Sequence, residues 1–317
     1  MNLNVIRKCG AWLLLAASLG LASCGGGEQV QKFSPTRILA FGDETSVIDS
    51  AGRTYAINGL NATTGALDCT LYPIWIQSIA TAYGMVFPQC NPNNLTTTSQ
   101  ILATPGAKTA DFKTQIDNFI AGGGSFDSKS LVLAYIGAND VWEQYALYPS
   151  TPLSTLTTEL TARGTLLAQQ INRIAALDGR VVVGKLQNLS VTPYAITQNT
   201  NVSATADGTQ QAIIKALVDA YTSGFRDNLN NDGEHIGLFD PDQTLNGIAV
   251  NPGLIGLASS TVAACLSTAP LPTCTTATLI SGATVTNYLY ADDRHMGYEG
   301  HLQLSTLAYA RANNNPF

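Results

Sequence analysis

An acid and an imidazole lie three residues apart near the carboxyl end of the chain, at Asp292 and His295. This spacing lets the carboxylate and the imidazole share one turn, so that the acid can orient the ring. Nucleophilic hydrolases use an imidazole oriented in this way as their general base, together with a nucleophile and N–H donors for an oxyanion. Asp293 is a competing acid, but it lies only two residues before His295 and is expected to point in another direction. The pair could therefore supply the base and its orienting acid if a nucleophile reaches His295, whereas the alternative is that His295 is a capping or surface residue of the last helix.

Further polar residues follow two apolar runs. Residues 37–40 read Arg-Ile-Leu-Ala and lead into Phe-Gly-Asp, after which come Glu44 and Ser46. Residues 131–136 form the clearest apolar run of the chain and precede Asn139. Continuous apolar runs are typical of strands buried on both faces of a parallel sheet, and open α/β proteins place their active sites at the carboxyl ends of such strands. We therefore expect these polar residues at one edge of a sheet.

Helical patterns alternate with the apolar runs. Residues 152–177 and 210–229 each carry apolar side chains at helical spacing, which indicates helices with one buried face, and a last helix is expected at about 298–312. Further strands are expected at the remaining short apolar runs, residues 85–87, 180–184, 235–240 and 287–290. Parallel strands need a crossover connection, which these helices supply. The sequence therefore predicts an α/β fold, a three-layer α/β/α sandwich with a mostly parallel central sheet of four or five strands.

Four segments carry a combination of motifs: Gly42-Asp43, Gly106, Gly137-Ala138-Asn139-Asp140 and Asp292-Asp293-Arg294-His295. Together they resemble the four blocks of the SGNH/GDSL hydrolases, a family of serine esterases and lipases. The resemblance implies that His295 is the base and that Asp292 orients it. It also implies that the Gly106 backbone N–H and the Asn139 side chain form the oxyanion hole. The implied fold is flavodoxin-like, and the implied substrate is an acyl ester of a small molecule, lipid or glycan, with no cofactor and no metal.

The nucleophile is where the chain departs from this family. Directly after Gly-Asp, where the family carries its serine, this chain has Glu44. Aligned without gaps, Glu44 would form an ion pair with His295, which abolishes acyl transfer of the ordinary kind. Aligned with a two-residue insertion, Ser46 becomes the nucleophile. Because two residues carry a side chain about 200° around a helical turn, this alignment requires Glu44 and Thr45 to bulge out.

Two functions follow from these two alignments. The first is an esterase that uses Ser46, His295 and Asp292. The second is a non-catalytic binding protein that kept the fold and the cleft, for a glycan or a lipid. The retained Asn139, Asp292 and His295 favour the esterase, whereas Glu44 favours the binding protein.

The amino terminus has the features of a secretory signal peptide. Arg7 and Lys8 precede an apolar run from Ala11 to Leu21, which is far shorter than the roughly 20 residues that a bilayer requires. The following junction, Leu-Ala-Ser-Cys, resembles a bacterial lipobox, which implies acylation of Cys24. Gly25 after this cysteine favours the outer membrane, with the protein facing the periplasm or the exterior. We therefore expect a signal peptide at 1–23, a tether at 24–35 and a single domain at 36–317.

Charge and cysteines agree with an exported protein. Removal of residues 1–23 would change the formal net charge from −6 to −8, and the absence of a basic run argues against nucleic-acid binding. Four cysteines remain beyond Cys24, and sequence alone allows three pairings. The simplest pairing in an oxidising compartment is Cys69–Cys90 with Cys265–Cys274. The sequence argues against a metal site at these cysteines, because it has no close Cys-x-x-Cys pair and no histidine near them.

Overall fold

A five-stranded sheet lies at the centre of the computed structural model, which describes residues 32–314 and 317. Its strands are β1 (Arg37–Gly42), β2 (Gln100–Ile101), β3 (Ser130–Tyr135), β4 (Arg180–Gly184) and β5 (Ile236–Phe239). The order across the sheet is β2-β1-β3-β4-β5, and every neighbouring pair is parallel. This is a flavodoxin-like order, in which the direction of winding reverses between β1 and β3. Ligands of open α/β sheets bind at such a reversal.

Eight helices occur within the described residues: α1 (Trp75–Ala82), α2 (Thr109–Ala121), α3 (Ala138–Ala146), α4 (Leu153–Ala176), α5 (Pro193–Asn201), α6 (Gln210–Asn228), α7 (Asp242–Val250) and α8 (Tyr298–Asn314). Helices α2, α4 and α6 pack on one face of the sheet, whereas α1, α7 and α8 pack on the other. The predicted three-layer α/β/α sandwich is therefore confirmed. None of the helices in the described part of the chain has the length and apolar character that crossing a bilayer requires.

Strand β3 shows why the apolar runs are continuous. Val132 and Ala134 pack against α2, α4 and α6, whereas Leu131 and Leu133 pack against the opposite layer. All four side chains are fully buried. Because successive side chains of a strand point to opposite faces, a strand covered on both faces needs apolar residues at every position.

Several short elements differ from the sequence prediction. Residues 85–87 form no strand, and buried Phe87 only precedes the 3-10 turn Pro88–Cys90, so this short apolar run reflects burial without strand pairing. Residues Tyr288–Tyr290 form strand β7, which pairs with β6 (Ser259–Ala263) in a separate two-stranded sheet. Helices α3, α5 and α7, each of nine residues, were not predicted, although α3 buries Val141 and Tyr145 at helical spacing.

Both expected disulfides are present. Cys69 is bonded to Cys90, and Cys265 is bonded to Cys274. Each bridge closes a short loop, and constraint of the unfolded chain by such loops typically contributes about 2–4 kcal/mol of stability. The predicted signal peptide, the lipid site Cys24 and most of the tether lie outside the described residues.

Candidate active site

Glu44 is positioned by the tight end of strand β1. Gly42 has a φ of 133°, and a Cβ atom at this position would lie 2.1 Å from the carbonyl oxygen of Tyr135 on β3, so only glycine lets the strands approach here. The Oδ1 atom of Asp43 then accepts a hydrogen bond from the Thr45 N–H at 3.0 Å and caps a 3-10 turn over Glu44–Ser46. This turn places Glu44 at the carboxyl edge of the sheet, where the winding reverses.

Asp292 and His295 form a local turn before helix α8. The Oδ1 atom of Asp292 accepts hydrogen bonds from the backbone N–H groups of Arg294 at 2.9 Å and of His295 at 2.7 Å. The same carboxylate lies 2.8 Å from His295 Nδ1, which leaves Nε2 free to face another group. The competing acid, Asp293, has an exposed side chain, and its carbonyl oxygen accepts from the Tyr194 N–H at 2.8 Å. Asp292 is therefore the residue that orients His295, although the pair lies before the last helix and not within its first turn.

The four residues that the resemblance implied converge on Glu44. Its Oε1 atom lies 3.0 Å from His295 Nε2. Its Oε2 atom accepts from the Gly106 N–H at 2.7 Å and from Asn139 Nδ2 at 3.0 Å, and the same Asn139 Nδ2 lies 3.1 Å from Oε1. The carboxylate thus contacts the expected base through Oε1, the Gly106 N–H through Oε2 and the Asn139 amide through both oxygens, while Asp292 lies against the other nitrogen of the imidazole.

Ser46 does not reach His295, which corrects the expectation that it takes the nucleophile position. Its side chain is completely buried, and its Oγ atom accepts a hydrogen bond from Trp75 Nε1 at 3.1 Å. The expected bulge at Glu44 and Thr45 is absent, because residues 44–46 form a regular 3-10 turn. In such a turn two residues separate side-chain directions by roughly 240°, so Glu44 and Ser46 cannot face the same group.

Charges in the site stabilise one another. Burial alone would lower the pKa of His295, but hydrogen bonds and charge from Asp292 and Glu44 raise it to about 10. Burial alone would raise the pKa values of both acids, but the hydrogen bond and charge of His295 lower them. At neutral pH the site therefore holds an imidazolium between two carboxylates.

Asp43 is a buried acid directly beside this network. Its side chain is only 1% exposed, and its Oδ2 atom has no hydrogen-bond partner among the described residues. Burial and the charge of Glu44 raise its pKa from 3.8 to about 8. Asp43 therefore carries a proton at neutral pH, which removes a third negative charge from the site.

The Asp43→Asn variant is expected to gain stability over the natural chain as the pH rises. A folded-state pKa of about 8, above the ordinary 3.8, means that the natural chain loses stability as the pH rises through this interval. Asparagine keeps the Oδ1 acceptor for Thr45 and does not ionise. The difference in unfolding free energy between variant and natural chain, measured by urea unfolding, should favour the variant more at pH 9 than at pH 5. A difference that is equal at the two pH values would show that Asp43 ionises normally.

Three further residues, Tyr194, Trp142 and Tyr55, lie outside the motifs that the sequence analysis identified. The guanidinium of Arg294 lies 4.0 Å from the ring centre of Tyr194 and 5.4 Å from that of Trp142. These rings come from helices α5 and α3, which the sequence analysis missed. Burial and the charges of Glu44 and Asp49 raise the pKa of Tyr55. No group of His, Cys, Asp and Glu suited to a metal ion occurs within residues 32–314.

Comparisons with known proteins find similarity at the level of solved structures. No family model matches the chain, and no curated protein matches it. A lipolytic protein of the G-D-S-L family from Veillonella parvula is 10% identical with a TM-score of 0.41, covering 86% of this chain and 95% of that chain. A catalytic mutant of the acetylxylan esterase Axe2 from Geobacillus stearothermophilus is 13% identical with a TM-score of 0.48, covering 90% and 97%. The lipase Lip_vut3 from a goat rumen metagenome is 13% identical with a TM-score of 0.48, covering 87% and 97%. Similarity this distant does not identify an activity.

Proposed function

We propose that the protein is an ester hydrolase in which the carboxylate of Glu44 takes the place of the usual serine. The observation that carries this proposal is the set of contacts on the Glu44 carboxylate. Oε1 lies against His295 Nε2, Oε2 accepts from the Gly106 N–H, and Asn139 Nδ2 lies 3.1 Å from Oε1 and 3.0 Å from Oε2. A nucleophile, a proton donor and a pair of oxyanion donors therefore meet on one side chain.

In the first step, Oε1 of Glu44 attacks the acyl carbon of the ester, and the bond to the alcohol oxygen breaks. The departing alkoxide takes the proton from His295 Nε2, which is protonated at neutral pH because its pKa is raised to about 10. The product is an acyl–glutamyl anhydride and a free alcohol. Glu44 has then lost its charge, which removes one of the two carboxylates that keep His295 protonated.

In the second step, neutral His295 takes a proton from water, and the resulting hydroxide attacks Cδ of Glu44. Negative charge develops on Oε2, the oxygen that faces the Gly106 N–H and the Asn139 amide. Loss of one such donor typically costs about 100- to 1000-fold in rate. The bond from Cδ to the bridging oxygen then breaks, the substrate acid leaves as a carboxylate, and Glu44 keeps the oxygen from water and releases its proton to solvent.

Isotope transfer tests this sequence of steps. A single turnover of a short-chain aryl ester in ¹⁸O-labelled water, with the protein in excess, should place one ¹⁸O atom in the peptide that contains Glu44. Mass spectrometry of the digested protein provides the measurement, and the same peptide after incubation without ester is the control. Hydrolysis that leaves Glu44 unlabelled would overturn attack on Cδ.

A second candidate function is ligand binding without catalysis. It is favoured by the closure of the site, because Glu44 satisfies both oxyanion donors itself and is almost completely buried. If this candidate is correct, the natural chain is inert toward esters and toward a fluorophosphonate probe, whereas Glu44→Ser gains both reactions. The ligand would then be a glycan or a lipid.

The place of action is also a proposal from the sequence. The lipobox-like junction at Cys24 supports a lipid anchor, and Gly25 supports the outer membrane as its location. An anchored esterase would meet ester substrates in the periplasm or at the cell surface.

A further inference from the structure

The segment between Asp242 and Asp292 differs in composition from the rest of the chain. Residues 243–291 contain no Asp, Glu, Lys, Arg or His, although charged residues make up 12% of the whole sequence. The segment holds most of α7, both strands of the small sheet and the bridge Cys265–Cys274. A long charge-free stretch at the surface of an acidic protein needs a physical explanation.

The same segment exposes large aliphatic side chains. Val250 is 83% exposed, Leu254 74% and Ile255 43%. Val250 is the last residue of α7, and the other two lie in the 3-10 turn Pro252–Ile255 that follows; this stretch is here called the apolar loop (residues 250–255). Val262 on β6 is a further exposed aliphatic residue, at 47%. Loops facing water are ordinarily polar, and exposed apolar clusters of this kind mark interaction sites.

The apolar loop is held in place from both sides. Before it, the side chain of Ile248 is buried, and the Ala249 carbonyl oxygen accepts from Ser260 Oγ at 2.7 Å. After it, the side chain of Leu257 is buried, and the Ala258 N–H donates to the Asn287 carbonyl oxygen at 2.7 Å. Because these flanking residues fix the loop and fill the core beneath it, its own side chains are held outward.

We propose that the apolar loop inserts into the interface of a phospholipid bilayer. Its aliphatic side chains leave water on insertion, and no charged side chain of the segment must be dehydrated with them. The chain has a formal net charge of −6, so a segment without charged side chains is the part that approaches an anionic membrane with the least repulsion. The proposal does not depend on the activity of Glu44.

The length of the amino-terminal tether supports this choice of partner. The chain from Cys24 to Lys32, the first described residue, spans at most about 30 Å when fully extended. A lipid on Cys24 would therefore keep the folded domain close to the membrane surface. A second copy of the chain is the less suitable occupant, because stable protein interfaces use roughly 20–30 residues a side and the apolar loop offers only three large side chains.

A fluorophore on the loop tests the proposal with the full-length mature protein. The variant Leu254→Cys is labelled with the environment-sensitive dye NBD, because Cys69, Cys90, Cys265 and Cys274 are bridged and the sulfur of Cys24 carries the proposed lipid. The matched control is NBD on Leu177→Cys, since Leu177 is 44% exposed and follows α4. Unsubstituted protein treated with NBD gives the blank.

With vesicles of phosphatidylcholine and phosphatidylglycerol, NBD at position 254 should shift its emission to the blue and be quenched by spin-labelled lipid. NBD at position 177 should show neither effect. A tenfold lower protein-to-lipid ratio should leave the emission shift of NBD at position 254 unchanged. No shift at 254, or equal shifts at 254 and 177, would overturn insertion. A shift that disappears on dilution would also overturn it and assign the loop to contact between protein copies.

Discussion

The Glu44→Gln variant is expected to hydrolyse aryl esters at least about 1000-fold more slowly than the natural chain, since loss of a nucleophile removes the covalent route. Glutamine has the same length and can still accept hydrogen bonds from Gly106 and Asn139. Its amide does not attack an acyl carbon, so the loss would report on the carboxylate itself. The measurement is kcat under saturating substrate, together with ¹⁸O transfer to residue 44.

Ser46→Ala is the matched control for this variant. The Oγ atom of Ser46 only accepts from Trp75, so its removal should cost about 1 kcal/mol of stability and leave kcat within about threefold of the natural value. Glu44→Ser provides the converse test, because a hydroxyl at position 44 would lie near His295 and should be labelled by a fluorophosphonate probe. If Ser46→Ala abolishes activity while Glu44→Gln retains it, the present assignment of the nucleophile is wrong.

The His295→Gln variant is expected to lower the unfolding free energy by about 2–3 kcal/mol at pH 6.5. Breaking a buried ion pair typically costs about 3–5 kcal/mol, and we expect less here because the His295 side chain is 28% exposed. Its removal leaves the carboxylates of Glu44 and Asp292 without their shared cation. Urea unfolding of the two proteins provides the measurement, and ester hydrolysis should be lost as well.

The difference in unfolding free energy between the natural chain and the His295→Gln variant should depend on pH. The folded-state pKa of His295 is about 10 and its ordinary value is 6.5, so its stabilising contribution is complete below pH 6.5 and is lost as the pH rises through 10. Toward low pH the contributions of Glu44 and Asp292 are lost instead, because their pKa values are lowered in the folded state. The difference between natural chain and variant should therefore shrink toward both alkaline and strongly acidic pH.

A double-mutant cycle checks that the loss comes from the shared charge. Glu44→Gln with His295→Gln should cost less stability than the sum of the single changes, because the second change removes a carboxylate that the first left unpaired. Additive losses would show that His295 does not stabilise the fold through Glu44.

Features determined by short stretches of chain could be predicted from the sequence. The spacing of Asp292 and His295 sufficed to predict their pairing, since both lie in one turn that the Asp292 carboxylate closes through backbone N–H groups. The buried strands were visible as continuous apolar runs because both faces of the sheet are covered. The two disulfides were predicted because each joins cysteines that are near neighbours among those available.

The identity of the group that faces His295 was decided only by the tertiary structure. Glu44 and Ser46 are two residues apart, and which of them turns toward the imidazole depends on the type of turn that ends β1. Two hydrogen bonds fix that turn. Asp43 caps it by accepting from the Thr45 N–H, and Trp75 of helix α1 donates to the Ser46 hydroxyl. The aromatic rings around Arg294 were equally hidden, because they lie on short helices distant in sequence. The family resemblance therefore pointed to Asp292, His295, Gly106 and Asn139 as site residues, whereas contacts between distant segments determined that a carboxylate lies among them.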